Sequence, residues 1–540
     1  MALDLVDEEK DEEKLPLDPQ RLLNKPPVKN FDEFVHFGKY VCLILVVAEF
    51  LCLSTLANMV YMVFSGANPK VVGCGDVAFN STDEAEVCKQ FTAVRNETGC
   101  TPVVEHQFYS VNVEFDYLCS DSKFVKSSIS YQMTAVLVGA FFFGQMSDMY
   151  GRRFVLLLAM FMGAVFSALT AYTDNFLMFT ISRILSGFFT GGTSAVQGVF
   201  LVENIPRKHR MLINTVITWS PNFIIYPIIA YYCKEWRSLS VAGAVINVIG
   251  CMFLYYCFES PRFIIQKGRI DEAREIIGKI REINNESCER TGQEIEAMLI
   301  HEQELFERRA QRAKKHTLYD IVNNMKMFKW TFTLCFGIMV TSLVNYGILF
   351  NMEKLSGSLY FNNIFFGIVR WIMNIAVGVG DYYIVAMGRK ALNVFSESFN
   401  IICLSVIFAS YYFGNAAQLG TIVRFCSIAV TSMCAQVYLA KFMTTTELYP
   451  TAVRNLAASA LSMSSRVGTI FGPILFYLSD LHPSYPYLAL TILITIDIFG
   501  FQSNIPETKG KLLENHLPTT VAEAKERRRS LVDRRPSNLE

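Results

Sequence analysis

Glu203-Asn204-Ile205-Pro206-Arg207-Lys208-His209-Arg210 and Glu447-Leu448-Tyr449-Pro450-Thr451-Ala452-Val453-Arg454 are the two stretches on which the fold turns. Both read Glu-x-x-Pro-x-x-x-Arg, they lie 244 positions apart, and each follows a long apolar run. Three further pairs keep the same order and nearly the same offset. Gly151-Arg152-Arg153 matches Gly388-Arg389-Lys390 at 237 positions, Arg183 matches Arg424 at 241, and Glu259-Ser260-Pro261 matches Glu507-Thr508-Lys509 at 248. One such match is chance. Four in the same order mean a chain built from two related halves. Paired halves of this kind hold a substrate site at their interface and rock around it.

Around these motifs the chain reads as membrane-spanning. Hydrophobic residues make up 52% of the 540 positions and charged residues 18%, below the roughly 25% of soluble domains. Apolar runs of about 20 residues, enough for a helix to cross a bilayer core of about 30 Å, occur near 41–64, 128–147, 154–173, 176–199, 211–232, 238–257, 331–350, 359–380, 391–411, 420–443, 455–478 and 486–505. These are spans 1 to 12. The expected organisation is a tail over 1–38, a six-helix half over 39–258 containing a large loop at 65–126, a helical loop over 259–329, a second half over 330–506 and a tail over 507–540. The 49 basic and 49 acidic residues cancel, which excludes a general nucleic-acid binder. No phosphate-binding Gly-x4-Gly-Lys-Ser/Thr loop and no hydrolase motif is present, so neither a primary pump nor an enzyme is expected, and no cofactor.

Lys and Arg collect on one side: Arg152 and Arg153, Arg207 to Arg210, the 259–329 loop, Arg389 and Lys390, Arg454 and the tail. By the positive-inside rule that side is cytoplasmic, with both termini. The 65–126 loop then lies outside, and its chemistry agrees. Cys74, Cys88, Cys100 and Cys119 allow two disulfides in three connectivities. Asn80 and Asn96 open glycosylation sequons. On the cytoplasmic side, Asp148 is expected to pair with Arg152 or Arg153, or to accept from the start of a neighbouring helix, and Glu203 and Glu447 to pair with basic residues of adjoining loops. Such pairs would hold the halves together when that side is closed and break when it opens. The 259–329 loop alternates charged and apolar residues at helical spacing, as a bundle beneath the spans would.

The chain resembles the major facilitator superfamily through Asp148-x-x-Gly151-Arg152-Arg153 and Arg183-x-x-x-Gly187-x-x-x-Gly191, the latter a helix-packing pattern. Within it, it resembles the organic cation, organic anion and carnitine transporters. That likeness rests on the cysteine-bearing loop, Trp236-Arg237-Ser238-Leu239, Glu259-Ser260-Pro261-Arg262, Glu447-Leu448-Tyr449-Pro450-Thr451 and Pro506-Glu507-Thr508-Lys509-Gly510. The resemblance implies an all-α polytopic membrane protein with twelve transmembrane helices in two six-helix pseudo-repeats. It implies cytoplasmic gate residues at Asp148, Gly151, Arg152, Arg153, Glu203, Arg210, Glu259, Arg262, Asp381, Arg389, Glu447, Arg454 and Glu507. The chain departs from the family at Phe258, where proline is usual, and in span 8, where Gly378-Val379-Gly380-Asp381 stands in place of an acidic-Phe-Pro element.

Charged residues inside spans need a partner or a wet cavity. At 1.5 Å per helical residue, Arg466 lies about 18 Å past Arg454, Arg370 and Glu49 about 15 Å into their helices, and Lys441 about 9 Å from the cytoplasmic face, within snorkelling reach. Asp497 is mid-span on a helix the resemblance makes peripheral, and reads as structural. The resemblance places spans 1, 4, 7 and 10 around the cavity, and makes Arg466 a position with Asp in cation-selective members and Arg in anion and carnitine transporters. A guanidinium grips carboxylate or sulfate bidentately; the alternative is an internal Arg466–Glu49 pair. Tyr346, Trp219, Tyr438 and Gln197 complete the candidate substrate site. The expected activity is secondary transport of amphiphilic organic anions across the plasma membrane. A carnitine-like zwitterion or an organic cation held by Glu49 are alternatives, and a non-transporting receptor or scaffold is the reading of another class. The partners implied are a small organic ion, the lipid bilayer and a counter-ion or exchange substrate; the sequence assigns no oligomeric state.

Overall fold

The computed structural model describes residues 34, 36–79, 84–206, 219–286, 289–310, 325–383, 388–414, 418–449 and 451–508. Asn80, Arg210, most of both tails and 311–324 lie outside the described residues, as does the side chain of Asp381.

Twelve long helices fill the positions of the twelve apolar runs: Lys39–Ser65, Ser122–Tyr150, Arg152–Thr170, Phe176–Asn204, Trp219–Cys233, Trp236–Tyr255, Met325–Leu349, Leu359–Tyr383, Arg389–Tyr412, Gly420–Leu448, Thr451–Leu475 and Tyr485–Asn504. Ten of the described helices are long and apolar enough to cross a membrane. Span 5 is described only from Trp219, and the serines and arginines of span 11 make it the polar exception. Span 2 outruns its apolar stretch because the charged residues at both its ends, Lys123, Lys126 and Asp148, find ionic partners. Span 11 stops at Leu475, two residues past Pro473, and tightens into a 3-10 turn at Phe476–Asp480. Span 4 begins where the Asn175 side chain accepts from the Met178 N–H at 2.9 Å.

Spans 2 and 4 pack nearly backbone to backbone. A side chain at Gly191 would fall on the Val136 carbonyl, one at Gly187 would come within 2.7 Å of the Gln132 carbonyl, and one at Gly139 would fall on the Phe188 carbonyl. Small residues permit such an approach, and packing contacts replace the missing hydrophobic drive in lipid. Arg183 is buried in the same layer. It donates to the Asn58 carbonyl at 2.8 Å and lies 4.2 Å from the Tyr61 ring. Its partner in the repeat, Arg424, stacks near Phe361 instead, at the opposite half's loop end.

The 65–126 loop folds as a cap on one end of the bundle. A small antiparallel sheet of order β2-β1-β3 joins Lys70–Cys74 (β1) to Val77–Ala78 (β2) and Pro102–Glu105 (β3), with a helix at Glu84–Thr98. Of the three connectivities the structure takes Cys74–Cys100 and Cys88–Cys119. Exposed Asn96 lies on the cap helix. The family motif Trp236-Arg237 roots this end: Trp236 Nε1 and the Arg237 guanidinium both donate to Glu114, each at 2.6 Å.

At the other end, here the motif end, helices Pro261–Gln266, Ile270–Asn284 and Glu289–Ala310 bury Phe263, Ile264, Ile277, Met298 and Leu299 among themselves. Arg274 bridges the last two through Glu296.

Candidate functional site

The duplicated motifs turn out to be duplicated helix caps. Glu259 accepts from the backbone N–H of Arg152 at 3.0 Å and of Arg153 at 3.1 Å, the unpaired donors at the start of span 3. Glu507 does the same at span 9, from Arg389 at 2.9 Å and Lys390 at 3.0 Å. The glycine before each arginine is a steric requirement. A Cβ at Gly151 would fall on Glu259 Oε2, and one at Gly388 on Glu507 Oε2; Gly151 also has φ +109°. Ser260 then caps its own helix through the Phe263 N–H, with Pro261 as the first helical residue. Burial pushes the Glu259 carboxyl above the usual carboxylate range, and its backbone N–H bonds pull the other way.

Ion pairs complete these clusters. Arg152 bridges Asp148 at 2.8 Å and Glu203 at 3.5 Å; Arg389 pairs with Glu447 at 2.9 Å, which also accepts from Thr508. Arg153 donates to the Tyr255 carbonyl, Arg454 to the Tyr449 carbonyl, and Arg262 lies half-buried at the start of its short helix. Among the described residues the Asp148, Glu203 and Glu447 pairs stay within one half: in this conformation, fastened toward the cap end, each carboxylate reaches a guanidinium of its own repeat.

Among the described residues, the ionic contacts between the halves lie toward the cap end. Lys126 of span 2 pairs with Glu353 at 2.7 Å, both nearly buried, and donates to Asn351 at 3.1 Å. Lys123 pairs with Asp480 at 2.6 Å, and Ser127 meets Tyr477 at 2.8 Å. Gln107 of the cap makes three contacts with the second half: it donates to the Gly357 carbonyl, and accepts from the Leu359 N–H and the Tyr360 hydroxyl. A cavity of about 660 Å³ lies at this closure, with Gln107, Lys123, Lys126, Glu353 and Asp480 in its walls.

Midway along the interface sits the candidate substrate site. Arg370 of span 8 reaches across to span 5, its guanidinium 5.4 Å from the Phe223 ring and 5.8 Å from Phe366. One turn on, Asn374 donates to Ser220 at 3.0 Å and accepts from Gln436 at 2.7 Å. Asn222 hydrogen bonds Glu49. Arg466 crosses to span 1, where it meets the Met59 sulfur at 3.5 Å. Among the described residues neither arginine has a carboxylate partner, so the alternative of an Arg466–Glu49 pair is not what forms; Glu49 is engaged by Asn222. Tyr346 is buried and stacks on Phe350, Tyr438 donates to Ser342, and Trp219 packs at the edge of the core. Gln197 accepts from Thr55 at 3.1 Å, a contact between spans 4 and 1 within the first half.

One cluster escaped the sequence reading. Lys441 does not snorkel. It is fully buried, donates to Glu397 of span 9 at 2.9 Å and to Asp497 of span 12, and lies 3.4 Å from the Thr341 hydroxyl. A side chain at Gly337 would collide with both Asp497 and Lys441. The signal was available: Glu397, Lys441 and Asp497 stand at matching depths, roughly 9 to 12 Å from the motif ends of their helices at 1.5 Å per residue. Asp497 is structural in the sense that it is paired. Lys123, Lys126 and Glu353 fall outside the apolar runs, and the sequence reading gave them no role.

Residues 89–517 match the family model described as sugar (and other) transporter. The chain is 27% identical to organic cation/carnitine transporter 2 of Mus musculus, over 75% of this chain and 72% of that one. It is 27% identical to a solute carrier family 22 member 15-like protein of Xenopus laevis (80% and 83% covered), and 26% to the organic cation transporter protein of Drosophila melanogaster (80% and 76%). Among solved structures it superposes on the proton:xylose symporter XylE with a TM-score of 0.60 at 15% identity, covering 88% of this chain and 98% of that one. That likeness concerns the fold alone.

Proposed function

Because this chain belongs to the sugar (and other) transporter family, with the twelve-helix major facilitator fold, and is a multi-pass membrane transporter rather than an enzyme, we propose that it carries small amphiphilic organic ions across the plasma membrane by alternating access, with organic anions favoured. The names of its relatives, organic cation and carnitine transporters among them, support the substrate class. The observation that carries the charge sign is the pair Arg370 and Arg466, two guanidiniums at the interface without a carboxylate partner among the described residues. Glu49 is the acidic counterpart from the first half. A carboxylate or sulfonate between the halves satisfies the arginines, and aromatic Phe223, Phe366 and Tyr346 cover its apolar body. A carnitine-like zwitterion fits as the second reading, its cationic end at Glu49.

The cap is taken as extracellular and both termini as cytoplasmic. In this orientation the Lys126–Glu353 and Lys123–Asp480 pairs close the outer mouth and separate when it opens. The return step is set by a counter-ion or an exchange substrate.

The test is uptake at verified surface expression of an aryl sulfonate, a quaternary ammonium and a betaine-type zwitterion, in wild type and Arg466→Asp. Loss of sulfonate uptake by one to two orders of magnitude in the variant is expected, the worth of about 1.5–3 kcal/mol for a charged hydrogen bond. Unchanged sulfonate uptake would sink the role of Arg466. Saturable binding without uptake of any probe would make the chain a receptor.

A further inference from the structure

We propose that the buried cluster Glu397–Lys441–Asp497 is a proton-binding site, and that its proton is the ion coupled to movement of an organic anion at Arg370 and Arg466. The coupling half of this inference rests on the transport reading above.

The argument begins with charge. Two carboxylates share one ammonium away from the molecular surface: exposure is at most 2% for all three residues. Fully ionised, the cluster carries a net negative charge inside the bilayer. Buried charge of that kind is neutralised or compensated. The groups that face it from the neighbouring spans do not compensate it. Span 7 presents Gly337 and the Thr341 hydroxyl, span 9 adds Asn400, and span 10 adds Cys434. Glu397 and Asp497 face one another across the ammonium. One proton shared by that pair brings the cluster to neutrality.

A route for the proton is also present. Below Glu397 toward the motif end, span 9 places Asn393 and Ser396, both fully buried, and neither the Asn393 amide nor the Ser396 hydroxyl has a hydrogen-bond partner among the described residues. Glu397 Oε2 and Asp497 Oδ1 are likewise unpartnered. Buried polar atoms in this condition are where water enters. Asn393 is one helical turn from Glu397 and one turn from Arg389 at the motif end, about 6 Å each at 1.5 Å per residue, a distance that water held at Asn393 and Ser396 would bridge. On release the carboxyl O–H breaks, the electron pair stays on the carboxylate, and the proton leaves along these waters to the motif-end solution.

Coupling runs through span 10. Cys434 lies beside Asn400, Glu397 and Asp497, and two residues on, Gln436 of the same helix donates to Asn374, one turn from Arg370. A deprotonated cluster therefore sets a negative charge behind Arg370 and weakens its hold on an anion. A protonated, neutral cluster restores it. Proton and organic anion bind cooperatively, which makes the carrier a proton–anion symporter.

The experiment is infrared difference spectroscopy on the purified full-length protein, titrated in pH, with and without naphthalene-2-sulfonate, an anion that does not itself titrate. The expected result is a protonated-carboxyl stretch in wild type that is lost in the Glu397→Gln/Asp497→Asn double variant and shifts to a higher pH midpoint when the sulfonate binds. Sulfonate affinity should tighten toward acid by at most about tenfold per pH unit, the limit for one proton, and should be independent of pH in Glu397→Gln and in Asp497→Asn. No band in wild type overturns the proton site. A band that ignores bound sulfonate, or affinity that varies with pH equally in wild type and both single variants, overturns the coupling while leaving the site. Binding without uptake would count against the transport reading alone, since the spectra do not depend on turnover.

Discussion

At the scale of single residues the motif glycines carry the sharpest consequence. Gly151 and Gly388 each leave the space in which a glutamate carboxylate caps the following helix. Alanine at either position displaces the cap. A lost cap costs about 0.5–2 kcal/mol and overpacking about 1–3 kcal/mol, and at Gly151 the left-handed backbone adds strain. We expect Gly151→Ala to lower the melting temperature of detergent-purified protein more than Gly388→Ala does, and Glu259→Gln to lower it less than Glu259→Ala, because the amide oxygen still accepts. Equal melting temperatures for Gly151→Ala and wild type would contradict the capping account. The motifs themselves were legible as repeated Gly-Arg and Glu signals. Their job was not, because sequence records that a carboxylate follows span 6 but not that it reaches back to the start of span 3. Glu397 shows the other limit: a single acid in an otherwise apolar run gives no sign of its partners until three helices are brought together.

At the scale of elements, the number and order of spans followed from hydropathy and the offset of the repeat. Their ends did not, since Lys123, Lys126 and Asp148 extend span 2 only because ionic partners await them. The strands of the cap were missed because each is short and the stretch read as a cysteine-bearing loop; β1 and β3 are held by pairing and the Cys74–Cys100 disulfide rather than by a long alternating pattern. Span 2 against span 4 is the tightest seam described. Gly191→Leu would drive a branched side chain into the Val136 carbonyl, and the helices would have to part. We expect loss of surface expression or aggregation in size-exclusion chromatography for this variant, whereas Gly198→Leu on the same helix, where an added Cβ meets nothing within 4 Å, should behave as wild type.

At the scale of the molecule, the described ionic ties between the halves gather at the cap end. Lys126 with Glu353 is the least exposed of the ionic ties between them. Removing one partner of a buried pair leaves an uncompensated charge, at a cost of about 3–5 kcal/mol, and each 1.4 kcal/mol is tenfold in population. Lys126→Ala should therefore shift the molecule toward a state open at the cap end, read as faster modification by a membrane-impermeant maleimide of a cysteine placed at Tyr346. Restoration of slow labelling in Lys126→Glu/Glu353→Lys would show that the pair, not the lysine, sets the balance. Labelling unaffected by Lys126→Ala would remove the pair from the gate. That two halves exist was plain from the repeat; that they are fastened at the cap end was not, because ionic partners in opposite halves are more than 200 residues apart in the chain.

The cap is rooted in the first half through Glu114, Trp236 and Arg237, yet Gln107 holds the second half by three hydrogen bonds. The two halves thus share a seam between the cap and the cap-end start of span 8. A nanobody clasping both lips of that seam would arrest the carrier without entering the bilayer or competing with its cargo. Such a brake would be noncompetitive and indifferent to substrate chemistry, and it could discriminate among relatives wherever their caps differ.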